Sequence, residues 1–199
     1  MIPDVDDALR ALVAEDLLAG AGATVAFDAP TTEWAARRTG PVVNLFLYDV
    51  REDLARQRQG EVVERAPDGR PVARRDPPRY FALSYLITAW TSHPTDEHRL
   101  LSTLLAGLAA HDELPAGHLA GSLAALGLAV PMSVASPPGD GRALADIWSA
   151  LGGQLKPSLD LVVTAPLTPA RRPAPPPVTE RVVAVRERPG PRRPHRRRT

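Results

Sequence analysis

An α/β fold of the α+β kind, a single domain with a central mixed sheet packed by about three helices, is predicted by three observations. Val42–Val50 and Tyr80–Thr91 are long runs rich in β-branched and aromatic residues, with apolar side chains on both faces. Strands covered on both sides belong in the middle of a sheet. Three further segments repeat apolar residues at helical spacing, and a fourth, Ser158–Ala165, alternates at strand spacing.

The elements follow in order along the chain. Asp4 is placed to cap a helix running to about Ala19, with Val5, Leu9, Leu12, Val13 and Leu17 on one face and Gly20 and Gly22 as stops. Thr24–Asp28 reads as a short strand, and Ala29–Pro41 as a loop carrying Trp34, Arg37 and Arg38. That loop is either an interface loop or a cover for the sheet edge. Asp68-Gly69 between Glu61–Arg65 and Pro71–Arg74 predicts a hairpin, exposed because it has few apolar residues. Thr95, Asp96 and Glu97 open the strongest helix, striped by Leu100, Leu101, Leu104, Leu105 and Leu108. Gly117–Gly127 is compatible with a short helix or a loop. Leu128–Ala135 reads as a strand, and Pro131 puts it at an edge. Asp140-Gly141 starts a helix through Leu144, Ile147, Trp148 and Leu151, ended by Gly152-Gly153. Ser158–Ala165 then closes the folded part.

Residues 1–168 are thus one domain, and 169–199 form a Pro/Arg-rich extended tail. Three consecutive prolines, Pro175-Pro176-Pro177, are a stiff spacer. Beyond them, Val178–Arg186 has strand composition without a partner strand nearby in sequence. The net charge of +1 conceals a split. From Arg171 onward ten arginines and two acids give +8, so residues 1–170 carry −7. The candidate partner-binding residues are Val182, Val183, Val185 and Arg186 of the island, Arg192, Arg193, Arg196, Arg197 and Arg198 behind it, and Trp34, Arg37 and Arg38 of the loop.

There is no cysteine, which excludes disulfides and thiolate metal sites. No run approaches the ~18 apolar residues needed to cross a bilayer. The acidic start, Met1–Asp7, is the opposite of a secretory leader, so the chain is expected in the cytoplasm when made. His93 and His98 bracket a helix start without metal-ligand spacing, and they read as loop and cap residues. No nucleophile elbow and no phosphate loop occur. Gly139-Asp140-Gly141 with Asp160 about twenty residues on mimics a dinucleotide fingerprint. Leu144 stands where its third glycine belongs, and Asp160 lies mid-strand. The expectation is a protein without catalytic residues, cofactor or metal. A tail rich in arginine could neutralise phosphates, but it lacks aromatics for base stacking. A nucleic-acid adaptor therefore stays the alternative to a structural protein, and a small hydrolase using His93 or His98 is a third reading.

Five segments in this order carry a family resemblance: Ile2–Asp6; Val43–Glu52 with the trailing Arg56; Pro77-Pro78 leading into Leu83–Trp90; Glu97–Leu101; and Ile147-Trp148 followed by Pro157–Leu161. Through them the chain resembles the tail-terminator, or cap, proteins of phage-tail-like contractile injection systems, a family long known as a domain of unknown function. The family usually has Asn after the Arg-Glu pair, where this chain has Asp53. The resemblance spans about residues 1–168. It implies a non-catalytic subunit that forms a ring, of six copies in the family's manner, on the end of the inner tube and ties it to the contractile sheath. The implied partners are further copies of the chain, the tube protein and the sheath protein, with no small-molecule substrate and no membrane. The particle they build is bacterial and either stays in the cytoplasm or is released.

Overall fold

A computed structural model describes residues 1–136 and 144–169 in full, and the backbone of residues 172 and 173. Helix α1 spans Ile2–Ala11, with Pro3 in its first turn where the missing N–H costs nothing. The chain then widens into a π-helical segment, Leu12–Leu17. Val5, Leu9, Leu12 and Val13 are fully buried, as their spacing predicts. Asp4 does not cap this helix. It lies in the first turn, and its carboxylate caps a different helix, described below.

Five strands form the central sheet in the order β1-β2-β5-β7-β6. Here β1 is Thr24–Ala26, β2 is Val42–Glu52, β5 is Arg79–Trp90, β6 is Met132–Val134 and β7 is Ser158–Leu167. Only β1 and β2 run parallel; the other neighbours are antiparallel, so the sheet is mixed, as expected. The two long apolar runs lie side by side, with Leu45 opposite Ile87. The strand with Pro131 just before it is an edge.

One face of this sheet carries the main core. Leu45, Leu83, Tyr85, Ile87, Leu161 and Val163 meet α1, helix α3 (Pro94–Leu108) and helix α4 (Gly121–Leu126). The ambiguous 117–127 stretch is thus a 3-10 turn, Ala116–His118, followed by a helix. Gly107 on α3 packs against the π-helical segment, and a Cβ there would collide with the Leu17 side chain. The other face holds a smaller cluster under two short helices, α2 (Thr32–Ala36) and α5 (Leu144–Ala150). Helix α2 corrects the loop expected over 29–41. Thr31 caps it by accepting the Trp34 backbone N–H at 3.2 Å, a local signal beneath the apolar periodicity of so short a piece.

The hairpin forms as expected, with β3 (Val62–Arg65) against β4 (Pro71–Arg75) and Gly69 at φ +84° in its turn. After β7 the chain does not leave at Ala165. It runs to Leu167, and Arg172–Pro173 then pair with β4 as β8, making a second sheet in the order β3-β4-β8.

Candidate protein–protein interface

The second face of the sheet begins with three tryptophans. Trp34 of α2 meets Trp90 edge-to-face at 5.5 Å, and Trp90 meets Trp148 of α5 at 6.4 Å. Trp90 is also flanked by two cations, the Arg38 guanidinium at 5.2 Å from its ring centre and the Lys156 ammonium at 4.4 Å. Lys156 is the chain's only lysine, and both Glu97 oxygens accept from it at 2.7 Å. Glu97 accepts the Thr91 backbone N–H as well. The cage therefore ties the β5 end, the α3 start and the segment before β7 together. Nothing in the sequence pattern singled out Lys156, because its partner is 59 residues away.

Among the expected loop residues, Trp34 and Arg38 are part of this cluster and half-buried. Arg37 points outward and pairs with Glu33, with both side chains exposed. Arg186 and the island valines Val182, Val183 and Val185 lie outside the described residues, as do Arg192, Arg193, Arg196, Arg197 and Arg198.

Farther along the same face, cover is thinner. A register shift between Leu47 and Asp49 makes Tyr48 an extra residue on β2. Phe46 and Tyr48 line an open groove of about 460 Å³ with Asp146, Ile147, Ala150 and Leu151 of α5 and its end. The Tyr48 hydroxyl donates to Asp160 Oδ1 at 2.7 Å. Burial first, and then that carboxylate, push its pKa up to about 12. Asp160, the residue that mimicked a ribose ligand, thus fastens two strands. On the core face the Tyr85 hydroxyl donates likewise to Asp6 at 2.7 Å. Burial raises the Asp6 pKa despite that bond.

The groove adjoins a bare strand edge. Strand β1 covers β2 over Val42–Asn44 only, and among the described residues no strand flanks Leu45–Glu52 on that side. The hairpin supplies a second, shorter edge at β3. Around it, eight arginines and seven carboxylates lie between residues 49 and 79. Six of those arginines form ion pairs within this stretch: Arg51–Asp49, Arg56–Asp53, Arg70–Asp68, Arg74–Glu61, Arg75–Glu64 and Arg79–Glu52. Exposed pairs of this kind add ~0–1 kcal/mol each. Their effect here is to leave the arm without a strong field of either sign.

Among the described residues no group of three or more His, Cys, Asp or Glu could hold a metal ion. His93 caps α3 through its backbone and is exposed, as is His98 one turn on, while His118 lies 2.7 Å from Asp16. The arrangement offers edges, a groove and a neutralised arm, which are means of meeting other chains. No helix among the described residues is long and apolar enough to cross a membrane.

The fold is shared with solved structures, two of them terminators. A sheath/tube terminator of an extracellular contractile injection system, PVC, in its extended state is 24% identical, with a TM-score of 0.68 over 96% of this chain. The tube-terminating cap of the anti-feeding prophage is 23% identical, with a TM-score of 0.64 over 93% of this chain. The chain spans 65% and 62% of their lengths. A search of curated protein sequences finds no match. Residues 4–180 match the family described as the Pvc16 N-terminal domain, a stretch that takes in the whole main sheet, the arm and β8, and the chain belongs to that family.

Proposed function

We propose that this protein is a structural cap, or tail terminator, of a contractile injection system. It forms a ring on the end of the inner tube, stops its growth and links it to the sheath. The observation that carries the reading is the family match over residues 4–180, supported by the shared fold of two terminators. A ring of six is the expected copy number, built from head-to-tail contacts between unlike surfaces of one chain. The protein acts without catalysis, is made in the cytoplasm of a bacterium and joins a particle there. The tail beyond residue 169 serves as a docking arm, with Val178–Arg186 adding to a sheet and the following arginines meeting an acidic surface. The alternative, a nucleic-acid adaptor acting through the basic C-terminal tail, has less support, since the family match and the shared fold favour the cap.

Length histograms of particles from a deletion strain test the cap. Loss of the protein is expected to give tubes and sheaths of uncontrolled or unstable length, and an unchanged distribution overturns the reading. Native mass spectrometry of the purified protein, alone and with tube protein, tests the ring; a strict monomer that never joins tube ends overturns it.

A further inference from the structure

We infer that the bare edge of β2, together with the groove beside it, receives residues 178–186 of a neighbouring copy as an added strand. This rests on the ring reading and names both halves of one subunit contact.

The acceptor combines two separate features. Along Leu45–Glu52, strand β2 bonds to β5 on one side and to no strand among the described residues on the other. Alternate residues of such an edge aim their N–H and C=O groups outward, a template for another strand. Folded proteins usually cover an edge of that length. Phe46 and Tyr48 of this edge strand line the groove with Ile147, Ala150 and Leu151, on the second face of the sheet. A strand laid on β2 would place every second side chain there. Main-chain bonds then supply affinity, and the groove supplies selection.

The donor fits in length, pattern and charge. Val178–Arg186 is nine residues against an edge of eight. Val183 and Val185 share one side of an extended strand, suited to the groove, and Val182 and Ala184 share the other. The tail carries +8 and the body −7, with Asp146 at the groove rim. Pro173 is held on β4, and Ala174-Pro175-Pro176-Pro177 follow. At ~3.1 Å per residue, four residues of polyproline geometry would span about 12 Å. A ring of head-to-tail contacts needs such a donor and such an acceptor at different places on one chain.

The absence of cysteine permits a clean cross-linking test. Val50 lies on the same edge, 44% exposed, opposite Leu83. Full-length Val50→Cys and Ala184→Cys proteins, mixed and treated with a short bismaleimide, are expected to give linked dimers. Val72→Cys on the arm, 46% exposed, replaces Val50→Cys as the control. Dimers as abundant with the control, or no dimers, overturn the proposal. So does linkage found only inside single chains of the Val50→Cys/Ala184→Cys double variant, which places the segment on its own body. In a second arm, a labelled peptide of residues 178–186 is titrated into the full-length Val183→Pro variant. Saturable binding that weakens at least tenfold when exposed Ala150 becomes Glu supports the groove, and binding indifferent to Ala150→Glu overturns it. Particle-length histograms are independent of both readouts, so failure of the cap reading and failure of this contact are told apart.

Discussion

Tyr48 on β2 and Asp160 on β7 are joined by a 2.7 Å hydrogen bond that passes over β5, the strand between them. Strand alternation sets the Tyr48 ring beside Phe46 on the second face of the sheet, and the bulge falls at this residue. Tyr48→Phe is expected to cost about 1 kcal/mol in denaturant unfolding. The pKa of Tyr48 is raised from its usual 10 to about 12, so its contribution is complete below pH 10 and is lost as pH rises through 12. The gap between wild type and the Phe variant should close over that interval; a constant gap would count against the bond.

Asp4 accepts the backbone N–H of Ser122 at 3.1 Å and the Ser122 hydroxyl, capping α4 from a distance of 118 residues. The hydroxyl bond is the main cause of its lowered pKa. A lowered carboxyl contributes stability above its ordinary pKa and loses it as pH falls through the folded value. Asp4→Asn should cost about 1 kcal/mol at neutral pH and progressively less in acid, measured as unfolding midpoints across pH.

Gly121 sits at φ +53°, and a Cβ there would lie 2.5 Å from Asp4 Oδ1. Gly121→Ala is therefore expected to lose about 2 kcal/mol, more than Asp4→Asn, through backbone strain added to a displaced carboxylate. Equal losses would mean the backbone conformation carries no penalty.

Asp6 behaves oppositely to Asp4. Its folded pKa is raised by burial, so its contribution is full below the ordinary carboxylate pKa and is lost as pH rises through the folded value. Asp6→Asn keeps an acceptor for the Tyr85 hydroxyl and removes the buried charge. The variant should be more stable than wild type at pH 7, with the advantage vanishing toward pH 3; thermal melts at both pH values decide.

Lys156→Met should destabilise by about 2 kcal/mol, since it strips Glu97, 12% exposed, of its cation. A double-mutant cycle with Glu97→Gln is expected to show coupling of about 1 kcal/mol or more. Additive losses would show that Lys156 acts only by stacking on Trp90.

Much of the fold was legible because local pattern and tertiary role agree. Leu100 to Leu108 form a helical stripe whichever sheet they meet, and Val42–Val50 and Tyr80–Thr91 read as inner strands because both their faces are apolar. Helix α2 was missed because five residues cannot show a period, and its signal is Thr31 alone. Asp4 was assigned to the wrong helix for a similar reason: a capping residue announces its chemistry but not which N-terminus it serves. The candidate interface was legible in part. Sequence marked the arm and the tail, but an edge is bare only relative to its neighbours. That β1 stops at Ala26 while β2 continues to Glu52 is a fact of pairing, not of composition.

The arm from Asp49 to Arg79 carries its own counter-ions in its backbone sequence, each arginine of the six pairs matched to a carboxylate at hand. An assembly held by such a surface should be nearly indifferent to salinity, because no mobile ions are gathered or released when it docks. The tail, at +8, is the reverse. If the arm and the tail each make a contact as proposed, moving one particle from fresh to brackish water would leave the first alone and loosen the second, so a salt series can separate what each holds.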